Sequence, residues 1–327
     1  MVPSSPTNAD TSTADMVRID GRAFTMGSAA FYPEERPVHE VAVETFWLDR
    51  HTVTNAEFAA FVAATRYVTT AERPLDPAHY PGADPELLHP GGLVFHPTDG
   101  PVPLHDFTRW WAYVPGASWR APRGPGSDLA GLDAHPVVQV VFEDAEAYAA
   151  WRGARLPSEA EWELAARGGL DGAAYCWGDE PYPDGRQLAN TWQGEFPWQN
   201  LVLDGFATTA PVGSFPPNGY GLLDMTGNVW EWTTDWWQDQ HAVVRACCGP
   251  ALDRGATGDG AASAAPGERF GRKVIKGGSH LCAPNFCHRF RPAARQPEAV
   301  DTATCHLGFR CASTAAPPRA TPRDAHP

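Results

Sequence analysis

Glycine and proline constrain this chain more than any other feature, with 31 of one and 32 of the other in 327 residues. Glycine costs backbone entropy in regular elements and proline removes a donor and fixes φ, so long helices and a large regular parallel sheet are disfavoured. Three short helices can still be placed. Thr54-Asn-Ala-Glu57 is a capping box followed by Phe58, Phe61 and Val62 on one face. Ser158-Glu-Ala-Glu161 repeats it, with Trp162, Ala165 and Ala166 behind and Gly168-Gly169 as the stop. Glu143 to Trp151 carries Ala147, Tyr148 and Trp151 at helical spacing. Strand signals occur at His39–Val43, Val137–Val141 and Lys273–Lys276, and loop punctuated by 13 tryptophans fills the rest. A loop-rich domain must be held by aromatic packing and backbone capture, and bound Ca²⁺ is a common further support. The expected class is α+β, low in regular secondary structure.

The length allows one or two domains with chain enough for a core. Residues 16–311 have no repeat and no linker-like break, and are expected to form a single domain. Residues 1–15 have neither basic n-region nor apolar h-region and are expected to be a disordered polar leader rather than a secretory signal. Residues 312–327 are expected to be a disordered tail, and about 247–267 a patternless surface insertion. A formal charge of −14, with Lys273 and Lys276 the only lysines, argues against a nucleic-acid partner. No apolar run approaches the ~18 residues of a membrane span. The expected location is a reducing cytoplasm, where cysteine serves as free thiol or metal ligand rather than staple.

Seven cysteines is an odd number. Cys282 and Cys287 lie in Lys276-Gly-Gly-Ser-His-Leu-Cys282-Ala-Pro-Asn-Phe-Cys287-His-Arg-Phe-Arg291. Five positions apart, they cannot face one way on a straight strand and diverge on a regular helix, but Pro284-Asn285 signals a turn that could bring the sulfurs together. Two thiolates make a poor tetrahedral zinc site and suit a soft, low-coordinate ion such as Cu(I). A redox-active disulfide and two unrelated core cysteines are the alternatives. Cys247-Cys248 are expected to be exposed incidental thiols, and Cys176, Cys305 and Cys311 to fill core or loop space.

Seven further stretches stand out: Gly21-Arg-Ala-Phe-Thr-Met-Gly27, Arg155-Leu-Pro-Ser-Glu-Ala-Glu-Trp-Glu163, Asn190-Thr-Trp-Gln-Gly-Glu-Phe-Pro197, Pro216-Pro-Asn-Gly-Tyr-Gly-Leu222, Gly227-Asn-Val-Trp-Glu-Trp232, 277–295 and Leu307-Gly-Phe-Arg-Cys311. Together they resemble the formylglycine-generating enzymes, or sulfatase-modifying factors. Most of these are shared by a wider superfamily; the discriminating element is the pair Cys282 and Cys287 after Gly-Gly-Ser. The resemblance implies a C-type-lectin-like α+β fold. It implies oxidation of the cysteine in a Cys-x-Pro-x-Arg segment of an unfolded sulfatase to Cα-formylglycine with O2. Cys282 and Cys287 would hold Cu(I), the substrate cysteine would add as a third sulfur, and loss of a Cβ hydrogen and hydrolysis of a thioaldehyde would give the aldehyde. Ser279 and Trp230 match positions near the site.

Structural calcium is implied too, at Asn190, the Thr191 carbonyl, Asp204 and the Phe206 carbonyl, and at Asp224, the Gly227 and Val229 carbonyls and Glu231. Asp224 stands where an Asn is associated with the family. Ala149, Ala166 and Pro292 stand where secreted animal relatives carry disulfide cysteines, which leaves Cys311 without its partner. His280 and Phe286 replace more Tyr-like neighbours of the two cysteines. A monomer is expected. The alternatives are an iron-dependent sulfur-chemistry oxidase of the same superfamily, and a non-catalytic calcium-stabilised binding module.

Overall fold

The computed structural model describes residues 15–84, 88–241, 250–253 and 259–316. The expected leader, apart from Asp15, lies outside the described residues, as do Cys247 and Cys248. Two elements form where their capping residues stand. Helix α1, Asn55–Thr65, begins at Thr54, whose hydroxyl takes the Glu57 amide at 3.3 Å while the Glu57 carboxylate takes the Thr54 amide at 2.8 Å. Helix α3, Glu159–Arg167, begins at the Ser158 capping box and ends at Gly168 with φ 58°. All nine of its residues are buried, because it packs against strands on several sides. Between them, α2 (Phe142–Trp151) starts where the Asp144 carboxylate accepts the Val141 amide at 3.0 Å.

The strands are short and pair across long stretches of sequence. β1 (Met16–Ile19), β4 (Phe46–Asp49) and β12 (Ala312–Ser313) form one antiparallel sheet in the order β1-β4-β12. β2 (Arg22–Met26) pairs antiparallel with β3 (His39–Val43), and β8 (Ala251–Leu252) adds to β3 in parallel. β5 (Gly91–Phe95) and β6 (Trp111–Pro115) form a hairpin. The central sheet has the order β10-β9-β7-β11, from β7 (Trp230–Trp236), β9 (Arg272–Lys276), β10 (Arg295–Ala299) and β11 (Leu307–Gly308), with β11 parallel to β7. This is an α+β fold low in regular structure.

Three expectations need correction. Val137–Val141 is buried but is not a strand: Gln139 adopts φ 60°, and its side chain bonds the Leu93 and Pro122 carbonyls. The run of valines reports burial, not pairing. The ordered chain also continues past Cys311, since Ala312 and Ser313 pair with Leu48 and Trp47. Within 247–267, the described residues include β8 and a one-turn helix, α4 (Gly260–Ser263), whose Ser263 is buried.

Two main apolar clusters fill the interior. One gathers Phe58, Phe61, Trp119, Tyr148, Trp230, Trp232 and Phe309, and includes both Cys282 and Cys287. The other lies between α3 and strands β2 to β4. Buried ion pairs cross the core: Arg310 with Glu231 at 2.7 Å, Lys276 with Glu163 at 3.0 Å and Arg295 with Glu159 at 2.8 Å.

Candidate active site

The chain leaves β9 through Gly277 and Gly278, both in the left-handed region, φ 93° and 71°. A Cβ on Gly278 would stand 2.9 Å from the Phe290 amide, so the sharp exit requires glycine. The next segment folds back in a turn at Pro284–Phe286, with the Phe286 and Cys287 amides both donating to the Ala283 carbonyl. That turn sets Cys282 Sγ and Cys287 Sγ 3.0 Å apart. Both thiols are free, buried and open onto one cavity of about 850 Å³.

The two sulfurs are chemically unequal. Burial, and then its neighbour, push the Cys282 thiol well up. Hydrogen bonding from Cys282 lowers Cys287 to about 7, and the Arg289 guanidinium adds to this. The pair therefore favours one thiolate, on Cys287, stabilised by the remaining thiol proton. Arg289 lines the same cavity; it donates to Glu34 at 2.6 Å and lies 3.9 Å above the Tyr32 ring.

Aromatic side chains form the near wall. Phe286 stacks on Phe196 at 4.5 Å and 2°, and Trp110 meets both edge-on. Trp230, the first residue of β7, is buried and lines the cavity. The β10 residues Gln296–Ala299 also line it, as does Asp301, whose carboxylate accepts the Tyr80 hydroxyl at 2.8 Å. Ser279 stands behind the thiols rather than on the cavity wall. It is fully buried beside Cys282, its amide 3.4 Å from that sulfur and its hydroxyl accepting the Leu281 amide, but it does not line the cavity.

Arg289, His306, Trp110 and Phe196 are cavity residues that the sequence reading did not single out. Arg289 had a local signal, a cation two positions beyond Cys287. The others come from distant segments and had none.

Cys282 and Cys287 fit a soft metal as donors: two adjacent thiols, one already favouring the thiolate, with an open side facing the cavity. Among the described residues, no group of three or more His, Cys, Asp or Glu could hold a metal ion.

The calcium sets differ from each other. In the first, Asn190 Oδ1 is buried without a partner. The Thr191 carbonyl and the Asp204 carboxylate converge, since the Gln193 side-chain amide donates to both. The Phe206 amide donates to the other Asp204 oxygen at 2.9 Å. Converging loop oxygens, one unsatisfied, fit a hard cation. In the second, both Glu231 oxygens are held by Arg310, and Trp162 Nε1 donates to one of them. Asp224 Oδ2 accepts the Gly213 amide at 2.7 Å, and Arg310 also reaches the Asp224 carbonyl. Gly227 adopts φ 78°, and Val229 directly precedes β7. The positive charge at this second point is already supplied by a guanidinium.

The fold, with a thiol pair at the end of an aromatic cavity, defines a sulfatase-modifying-factor type of domain, and the comparisons agree. Residues 2–315 match the family described as "Sulfatase-modifying factor enzyme 1-like domain", and the chain belongs to this family. It is 54% identical to the formylglycine-generating enzyme of Mycobacterium tuberculosis over 91% of this chain and 97% of that protein. It is 45% identical to that of Streptomyces coelicolor, over 93% and 90%. It is also 39% identical to an inactive Cα-formylglycine-generating enzyme 2 of Mus musculus, over 93% and 87%. Among solved structures it is similar to PvdO from Pseudomonas aeruginosa, with a TM-score of 0.59, 25% identity and coverage of 91% and 93%.

Proposed function

We propose that this protein is a formylglycine-generating oxidase, converting the cysteine of a Cys-x-Pro-x-Arg segment in an unfolded sulfatase to Cα-formylglycine with O2. The observation that carries the reading is the pair of free thiols, 3.0 Å apart, at the end of a cavity large enough for an extended peptide segment. An inactive relative at 39% identity means that family membership alone does not carry the reaction, so the weight falls on the site.

Cys282 and Cys287 would hold Cu(I), which when bound supplies the activation of dioxygen. The chain's own residues do the rest. Phe286, Phe196 and Trp110 offer an apolar wall to the peptide and shed water from it. Trp230 closes the cavity beside the sulfurs, and Ser279 holds the Cys282 turn through its backbone and hydroxyl. Arg289 offsets the negative charge of the thiolate. Structural calcium is proposed at Asn190, Thr191, Asp204 and Phe206. At Asp224, Gly227, Val229 and Glu231, calcium would have to share Glu231 with Arg310. A cytoplasmic monomer is proposed; among the described residues, no helix is long and apolar enough to cross a membrane. The iron alternative has no cluster of donors to support it among the described residues.

Incubation of the protein with Cu(I), O2 and a Cys-x-Pro-x-Arg peptide should give a peptide aldehyde by mass spectrometry. Cys282→Ser or Cys287→Ser should abolish turnover and weaken Cu(I) binding in a titration followed by thiolate-to-copper absorption. A fully metallated wild-type protein that makes no aldehyde would overturn the reading. Unchanged copper binding in both variants would show that the pair is incidental.

A further inference from the structure

His306 lines the cavity with Trp230, Cys282 and Cys287, and comes to it from the start of β11. Its backbone carbonyl accepts the Trp230 amide at 2.9 Å, which ties it to the residue beside the thiols. Its ring is held on two sides, by Trp111 at 4.8 Å between centroids and by Thr304, whose hydroxyl lies 2.6 Å from Nδ1. Thr304 is only 2% exposed, so its hydroxyl proton needs a buried acceptor. The same oxygen accepts the His306 amide at 3.4 Å, leaving Nδ1 as the acceptor for that proton. This arrangement selects the tautomer with the ring proton on Nε2. Among the described residues no partner is found for Nε2, and the ring is half-buried on the cavity wall.

We infer that His306 is a substrate-positioning residue, whose Nε2–H donates a hydrogen bond to a main-chain carbonyl of the bound peptide near the reacting cysteine. The inference rests on the proposed function for the identity of the peptide. An extended, unfolded segment presents bare carbonyls, and a fixed neutral donor beside the thiols sets its register without adding charge. Burial, with His280 nearby, keeps the imidazole neutral by lowering it to about 3. His306 therefore remains a donor, and does not become a cation, across the working pH range.

Two measurements on each variant test this. One is the Kd of a fluorescent Cys-x-Pro-x-Arg peptide, with its cysteine replaced by serine, for the metal-free protein by anisotropy. The other is KM and kcat for aldehyde formation by the copper-loaded protein. His306→Leu, which keeps the bulk and removes the donor, should raise Kd and KM about 3- to 10-fold, the worth of one neutral hydrogen bond, and leave kcat within twofold. His306→Gln, which can place an amide N–H near the position of Nε2, should restore both constants to within twofold. Thr304→Val, which frees the tautomer, should move them in the direction of His306→Leu. Unchanged Kd and KM in His306→Leu overturn the inference, and so does a His306→Gln variant as weak as His306→Leu, which would make the ring a packing element. Wild-type protein that binds the peptide but forms no aldehyde sinks the oxidase reading instead, while the anisotropy values still decide the role of His306.

Discussion

Glu163 is fully buried, accepts the Gly27 amide at 2.8 Å and faces Lys276 at 3.0 Å and Arg167 at 2.7 Å. Burial alone would raise its pKa; Lys276 and Arg167 outweigh burial and lower it from 4.5 to about 2. A folded-state value below the unfolded one means that the ionised form stabilises the fold above pH ~4.5, and that this support is lost as pH falls toward 2. The acid limb of Tm against pH should therefore drop over that window, with about 3 kcal/mol at stake. Glu163→Gln should be destabilised at pH 7 by about 3 kcal/mol, since Arg167 loses its carboxylate and Lys276 is left with Glu159 at 3.6 Å, and should show a flatter limb between pH 4.5 and 2. A variant whose limb is as steep as that of the wild type would assign the acid sensitivity to other carboxylates. At this scale the sequence showed the thiol pair clearly, because Pro284-Asn285 announced the turn that joins Cys282 to Cys287. It did not show His306 or Trp110, whose meaning comes from a cavity built by residues far away in the chain.

The capped helices are the most legible elements and the most easily tested. Ser158 holds the first turn of α3 by accepting the Glu161 amide at 3.0 Å. Ser158→Ala should cost about 1 kcal/mol, read as a lower urea midpoint with an unchanged m-value. Gly168→Ala should cost at least as much. The position has φ 58°, and an added Cβ would lie 2.8 Å from the Gly219 amide, so strain and a backbone clash combine. Stability equal to wild type in Gly168→Ala would mean that the 218–219 loop yields without cost. Strands were harder to see than helices because most are two to five residues long and pair with partners remote in sequence, as β12 does with β4. His39–Val43 was legible through its own alternation of burial. Val137–Val141 was misread because an apolar run carries no sign of the left-handed turn at Gln139.

For the whole molecule, the first calcium set offers a test independent of catalysis. Loops 190–193 and 204–206 meet there with an unsatisfied Asn190 oxygen, so an ion at that point would join two irregular segments. Adding Ca²⁺ to chelator-treated protein should raise Tm by several degrees, and Asn190→Ala should remove most of that rise. An equal rise in Asn190→Ala would place the ion elsewhere. The fold class was legible from composition, since so much glycine and proline leaves room only for short elements. The topology was not, because sheet order rests on contacts between segments remote in sequence, some of which join the N-terminal and C-terminal parts, as β4 with β12.

Those end-to-end contacts are concentrated in the last few described residues. Leu307 pairs with Trp230, the Phe309 carbonyl receives the Val53 amide, Arg310 binds Glu231, the Cys311 carbonyl accepts the Asp49 amide while its amide donates to the Asp49 carboxylate, and Ala312 exchanges backbone bonds with Arg155. Residues 307–313 thus tie several distant segments together in one short run. Without this stretch the central sheet would lack β11 and the β1-β4 pair would lack β12, so one seven-residue segment clasps two separate sheets at once. Loosening that clasp would bare the open edges of β7 and β4 together, and with them the Trp230 and Leu48 backbone groups that it covers.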